Sequence, residues 1–120
     1  MCSPSDLPSE EPGFEALGDG LELDTLATGD LMRVNTRKST YFFRMENPAD
    51  RSAMMWKQGV NLPAVPVRIM GCVMGTSSRI DPRRLFCGGS LEYTHSGGAR
   101  THITTAIVEI TVLRHAPLTN

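Results

Sequence analysis

Seven basic side chains, Arg33, Arg37, Lys38, Arg44, Arg79, Arg83 and Arg84, gather in two short stretches of this 120-residue chain. The first four fall on one segment, and the other three cluster around an irregular loop. Guanidinium and ammonium groups at this density attract phosphates or another polyanion. Tyr41, Phe42 and Trp56 lie close enough in sequence to offer flat faces on which bases could stack. The chemistry that follows is binding: single-stranded nucleic acid, or another polyanion, held by a basic hairpin.

Nucleophilic chemistry has fewer materials. A thiol enzyme would pair Cys87 or Cys72 with His95 or His102, since a thiolate needs an adjacent base and an orienting third group. No local signature supports that arrangement, and cysteines in apolar strands usually act as small buried hydrophobes. A thiol-dependent enzyme using Cys87 is therefore the second alternative to a binding role. The same four residues are too widely spaced for the paired ligands of a structural zinc site. His95 and His102 flank the turn Ser96-Gly-Gly-Ala99 and are placed to face each other across a hairpin. There is no phosphate-cradling glycine loop, paired-carboxylate motif or nucleotide fingerprint, so no catalytic residue, metal or cofactor is assigned.

These residues must be positioned by strands. In Leu31 to Glu46, Met32, Val34 and Thr36 share one period-2 face, and Tyr41, Phe43 and Met45 share another. Aromatic and β-branched residues at alternate positions fit a pleated, half-buried surface, so two antiparallel strands joined at Arg37-Lys38 are predicted. Arg33 and Arg44 then lie on the outer faces. Ala53 to Lys57 reads as a short strand, because Gly59, Pro63 and Pro66 leave no room for a helix of ordinary length. Val65, Val67, Ile69 and Val73 form one face of the next strand, with a bulge at Gly71 and an edge position at Pro66. A strand beginning at Arg83 is interrupted by a bulge at Gly88-Gly89 and completed by Ser90 to Thr94. Thr101 to Leu113 alternates most regularly, placing Ala106, Val108 and Ile110 inward. The expected core is Val34, Tyr41, Phe43, Val67, Ile69, Leu91, Ala106, Val108 and Ile110. About six strands with turn signals between them predict an all-β fold, a small barrel or two packed antiparallel sheets.

Charge divides the chain. The formal net charge is −1, yet eight of the 13 acids (Asp6, Glu10, Glu11, Glu15, Asp19, Glu22, Asp24, Asp30) precede Leu31 while all 12 Lys and Arg follow Asp30. Such asymmetry fits an acidic arm on a body with a basic surface. Pro4, Pro8 and Pro12 make the start of the arm a poor core former. Residues 1–20 are read as a largely disordered arm, with one helical turn at Phe14 to Leu17, residues 21–115 as a single β domain and 116–120 as a tail. No apolar run approaches the roughly 20 residues of a membrane span, and no signal-peptide pattern opens the chain. A soluble, cytoplasmic protein with reduced thiols is expected.

The run Phe86-Cys-Gly-Gly-Ser-Leu91 resembles a stretch of chymotrypsin-like serine proteases. The catalytic-histidine and Gly-Asp-Ser-Gly-Gly segments are missing, and 120 residues cannot form two six-stranded barrels. A broader set of landmarks runs from Arg33-Val-Asn-Thr36 and Ser39-Thr-Tyr41 through Gly71-x-x-x-Gly75-x-Ser77 and Gly88-x-x-Leu91-Glu-Tyr93 to Thr104-Thr105. It resembles short uncharacterised bacterial all-β proteins of unknown function, which implies a small β fold and no particular site. The reading that emerges is a non-catalytic binding or assembly module. Its partners would be a second copy, meeting it through a β edge, or nucleic acid, and not a membrane.

Overall fold

The computed structural model describes residues 14–16 (backbone only), 20–74, 80–96, 98 and 100–114. Most of the acidic arm, Arg79, the Gly75 and Ser77 landmarks and the tail lie outside the described residues. The described residues form ten strands: β1 Phe14–Ala16, β2 Gly20–Glu22, β3 Leu31–Thr36, β4 Thr40–Asn47, β5 Ser52–Lys57, β6 Val65–Met74, β7 Ile80–Asp81, β8 Arg84–Phe86, β9 Gly89–His95 and β10 Thr101–Leu113. A single 3-10 turn, Leu23–Thr25, is the only helical element among the described residues. None of their helices is long and apolar enough to cross a membrane.

The β3–β4 hairpin follows from its alternation. Met32, Val34, Phe43 and Met45 are buried while Arg33, Asn35, Arg44 and Glu46 face outward, and Thr36 and Ser39 close the turn through their backbones and the Thr36 hydroxyl. β5 pairs with β4, β6 with β5 and β9 with β6, all antiparallel. β10 then pairs with β9 through its first half and with β3 through its second. The ring β3–β4–β5–β6–β9–β10 is thereby closed, and of the two architectures expected the barrel is the one formed. Where β10 outruns β9, β1 takes the vacant side opposite Thr111 to Leu113; where β6 outruns β5, β7 pairs with Cys72 and Val73.

Closure overturns several local expectations. Phe14–Ala16 is a strand and not a helical turn, because β10 offers it an unpaired ladder. Pro66 is not on an edge: it lies opposite Met54 of β5, and its carbonyl accepts a bond from the Ser96 N–H at 3.0 Å. Gly88 lies in a turn that separates β8 from β9, so the bulge predicted at Gly88-Gly89 is a break between two strands. The bulge at Gly71 is present, but its extra residue turns Cys72 into the core and leaves Val73 half-buried.

The same device reverses part of β10. Register shifts between Ile103 and Ala106 and between Ile107 and Glu109 break the alternation. Ile107 is consequently buried, whereas Val108 is 46% exposed and Ala106 only half-buried. Thr104 repairs the first break, its buried hydroxyl accepting the Leu91 N–H at 3.1 Å. Six of the nine expected core residues are buried as read (Val34, Phe43, Val67, Ile69, Leu91, Ile110), while Tyr41 packs half-buried against them.

The barrel has two unlike ends. At the end carrying the β4–β5 loop, β2 and β8 form a separate two-stranded sheet that presses Leu21, Leu23, Leu26 and Leu85 into the core. Arg51 of that loop ties the cap down through the Asp24 carboxylate at 2.8 Å and the Pro82 carbonyl at 2.7 Å. At the other end lie the β3–β4 turn, the β5–β6 loop and the β9–β10 turn.

Candidate functional site

The outer wall of β3, β4 and β5 collects the groups suited to holding an anion. Arg33, Phe42 and Trp56 stand side by side across the three strands. The two rings are stacked, with centroids 5.4 Å apart and planes 12° from parallel, and both are half-exposed. Arg33 donates from Nε to the Thr111 hydroxyl at 3.1 Å, which steadies the guanidinium beside the ring pair. One step toward the capped end is Arg44, whose ion pair with Glu46, at 3.8 Å between two half-exposed side chains, has little hold on it.

One step toward the open end, Gln58 donates its N–H to the Thr40 carbonyl at 2.9 Å. Beyond that pair lies an open groove of about 560 Å3 between the β3–β4 turn and the β5–β6 loop, with Arg37, Lys38 and Lys57 on its walls. Lys57 is held by the Tyr41 ring, its Nζ 5.5 Å from the centroid. A track of cations and stacked rings therefore runs along the wall from Arg44 to Lys38.

Four of the seven basic residues singled out from sequence, Arg33, Arg37, Lys38 and Arg44, belong to this track. Arg84 is elsewhere, opposite Glu22 in the capping sheet, and Arg83 directly precedes it, its carbonyl accepting the Leu23 N–H at 2.8 Å. Arg79 lies outside the described residues. Lys57 was not anticipated; its position at the end of the strand bearing Trp56 was the signal that marked it. Of the aromatics, Phe42 and Trp56 face outward and Tyr41 inward.

No protein-family model, curated protein or solved structure matches this chain. Function must be read from geometry.

A second cluster occupies the barrel mouth. His95 and His102 do face each other, with ring centroids 4.8 Å apart and planes at 83°, and Tyr93 stacks on His102 at 5.2 Å. The candidate thiols are not joined to them. Cys72 lies opposite Leu91, four residues along β9 from His95, or roughly 13 Å at strand rise. Cys87 is disulfide-bonded, which corrects the expectation of a reduced thiol and leaves no nucleophile there in this state. Among the described residues, no three His, Cys, Asp or Glu side chains assemble as a metal set.

Burial raises the Cys72 thiol from its ordinary 9.0 to about 11, and its contact with the Phe86 carbonyl, 3.8 Å from Sγ, opposes this only in part. Tyr93 is shifted upward as well, by burial first and then by Tyr41. Below pH 9 both native and unfolded thiols hold their proton, so Cys72 contributes nothing to pH dependence. Between about 9 and 11 the unfolded chain loses that proton while the native one keeps it, so stability falls with rising pH. The full effect is about 2–3 kcal/mol. Urea midpoints measured from pH 8 to 11 are expected to decline over that interval, and Cys72→Ala to flatten the decline. An equally steep decline in the variant would refute the assignment.

Proposed function

We propose that this protein is a non-catalytic binding module whose ligand is a polyanion, specifically single-stranded nucleic acid, laid along the β3–β4–β5 wall. The observation that carries this is the half-exposed Phe42–Trp56 stack set between Arg33, Arg44 and the Arg37–Lys38–Lys57 groove. An aromatic pair on the outside of a barrel loses contact with water when a base stacks on it, and flanking cations neutralise the adjoining phosphates. A cytoplasmic location belongs to the same proposal, and the Cys87 disulfide, which a reducing compartment disfavours, counts against it.

A second reading, assembly with another copy, draws on the β6–β9–β10 wall. There Ile103 (61% exposed) and Met70 present apolar side chains to solvent. Size-exclusion chromatography with light scattering, run at low salt with and without a mixed single-stranded oligonucleotide, separates the two. The expected result is a monomer that shifts to a complex with the oligonucleotide and is released by salt. A discrete oligomer indifferent to the oligonucleotide would end the nucleic-acid reading.

A further inference from the structure

Beside the cationic groove lies a second depression of different character. It has a volume of about 190 Å3 and is lined chiefly by apolar atoms of Trp56, Val60, Leu62, Pro63 and Val65, with His95 as its imidazole-bearing wall. The two depressions share Lys57 and Val60. Leu62 at its rim is 71% exposed and Val60 42%, although the barrel core is well filled without them. Val60 and Leu62 thus give the depression an apolar rim beside a cationic groove.

The neighbourhood selects the occupant. At 190 Å3 the depression is smaller than the roughly 300–1,000 Å3 of a drug-sized ligand site. It suits one flat ring system. A lipid chain or an apolar peptide side chain would fit the pocket but would make no use of Lys57 on its border or of Arg37 and Lys38 in the adjoining groove. A nucleotide unit carries both parts, a flat ring and an anion one sugar away. His95 is held edge-on by Tyr93 at 6.0 Å and His102 at 4.8 Å, so its ring is a fixed flat wall of a depression whose lining is almost wholly apolar.

We infer that this pocket takes one unstacked nucleobase of a single strand, while the phosphate next to that base lies in the Arg37–Lys38–Lys57 groove. This rests on the polyanion reading and deepens it. It makes the ligand a base-bearing single strand, and not a duplex or a polyanion without rings. The Phe42–Trp56 stack then supports a neighbouring base, with Trp56 forming part of both surfaces.

Fluorescence anisotropy on the full-length chain tests this with three probes: an oligothymidylate, an abasic strand with the same number of phosphates, and a mononucleotide as competitor. The expected result is binding of the abasic strand about thirtyfold weaker than of the oligothymidylate, the lower end for two stacked bases, one in the pocket and one on the Phe42–Trp56 pair. In the double variant Val60→Ser and Leu62→Ser, both at exposed loop positions, that ratio is expected to fall to about one-fifth of its wild-type size, the loss of one of the two bases, while the salt dependence stays unchanged. Equal, salt-sensitive binding of base-bearing and abasic strands would overturn the pocket and leave the polyanion reading standing. Absence of binding by either strand would instead remove the polyanion reading, and the pocket with it. A base preference that survives Val60→Ser and Leu62→Ser but disappears in Phe42→Ala would place the base on the outer stack and overturn the assignment. Displacement of the oligothymidylate by an equal concentration of mononucleotide would overturn the strand as its source.

Discussion

Replacing Gly71 with alanine is expected to remove more than about 3 kcal/mol of stability, a large part of the total for a domain of this size. Gly71 has φ +133° at the β6 bulge, where a Cβ would strike the Asp81 carbonyl oxygen and come within 2.8 Å of both the Asp81 carbonyl carbon and Pro82 Cα. These are backbone atoms of the segment leading from β7, so no side chain can swing aside. Relief requires moving β7 away from β6 or undoing the bulge that turns Cys72 into the core. Gly59 separates strain from collision. It too has a positive φ, +81°, but open space where its Cβ would stand. Gly59→Ala is expected to cost only about 1 kcal/mol, the conformational part alone. Urea denaturation of the two variants, compared at unchanged slope, gives the difference directly. Equal midpoints would show that the close approach of β6 and Asp81 is not maintained in solution.

The second large effect concerns salt. With four cations on the wall and its turn (Arg33, Arg37, Lys38 and Arg44) and Lys57 at the rim of the open end beside Tyr41, five in all, a plot of log affinity for a single strand against log salt is expected to have a slope of about −3.5, at roughly 0.7 per phosphate neutralised. Affinity then falls about a hundredfold between 50 and 200 mM. The double change Arg37→Ala and Lys38→Ala is expected to reduce the slope to about −2.1 and the fall to about twentyfold. The turn itself should survive, since its closure rests on Thr36, Ser39 and the backbone of residue 37 bonded to the Ala106 carbonyl. Arg83→Ala with Arg84→Ala, at the capped end, is expected to leave the slope unchanged. If that pair flattened the slope and the Arg37–Lys38 pair did not, the ligand would lie on the cap and not on the wall.

That contrast marks how far the sequence could be read. Cations adjacent in sequence, as at Arg33 to Arg44, share a wall because a hairpin keeps neighbours together. Whether Arg83 and Arg84 join them depends on which strands close the ring, a matter of register and twist that no local pattern carries. The same limit governs the core. Alternation was sound along β3 and β4, whose ladder with each other is unbroken, and it failed along β10, where two register shifts exchange Val108 for Ile107. A bulge shows in sequence only when a glycine marks it, as at Gly71; the irregularities near Ala106 and Val108 have no such mark. The pairing of His95 with His102 was legible because a single short turn separates them. The apolar pocket was not, since Val60 and Leu62 read as ordinary loop residues until Trp56 and His95 are brought beside them from separate strands.

Joining β3 to β10 also sets a clock. The strands that seal the ring start roughly 70 residues apart, so on a ribosome adding ~5–20 residues per second β3 waits about 4–14 s for its partner. Until then the nascent meander has a bare edge along β3 and an inner face bearing Met32, Val34 and Phe43 with nothing across from it. Refolding of the complete chain faces the same distant closure, which places it among domains that fold in milliseconds to seconds and not microseconds. The hazard for this protein is thus greatest before it is a barrel, when the edge later sealed by β10 is open to any other strand that reaches it first.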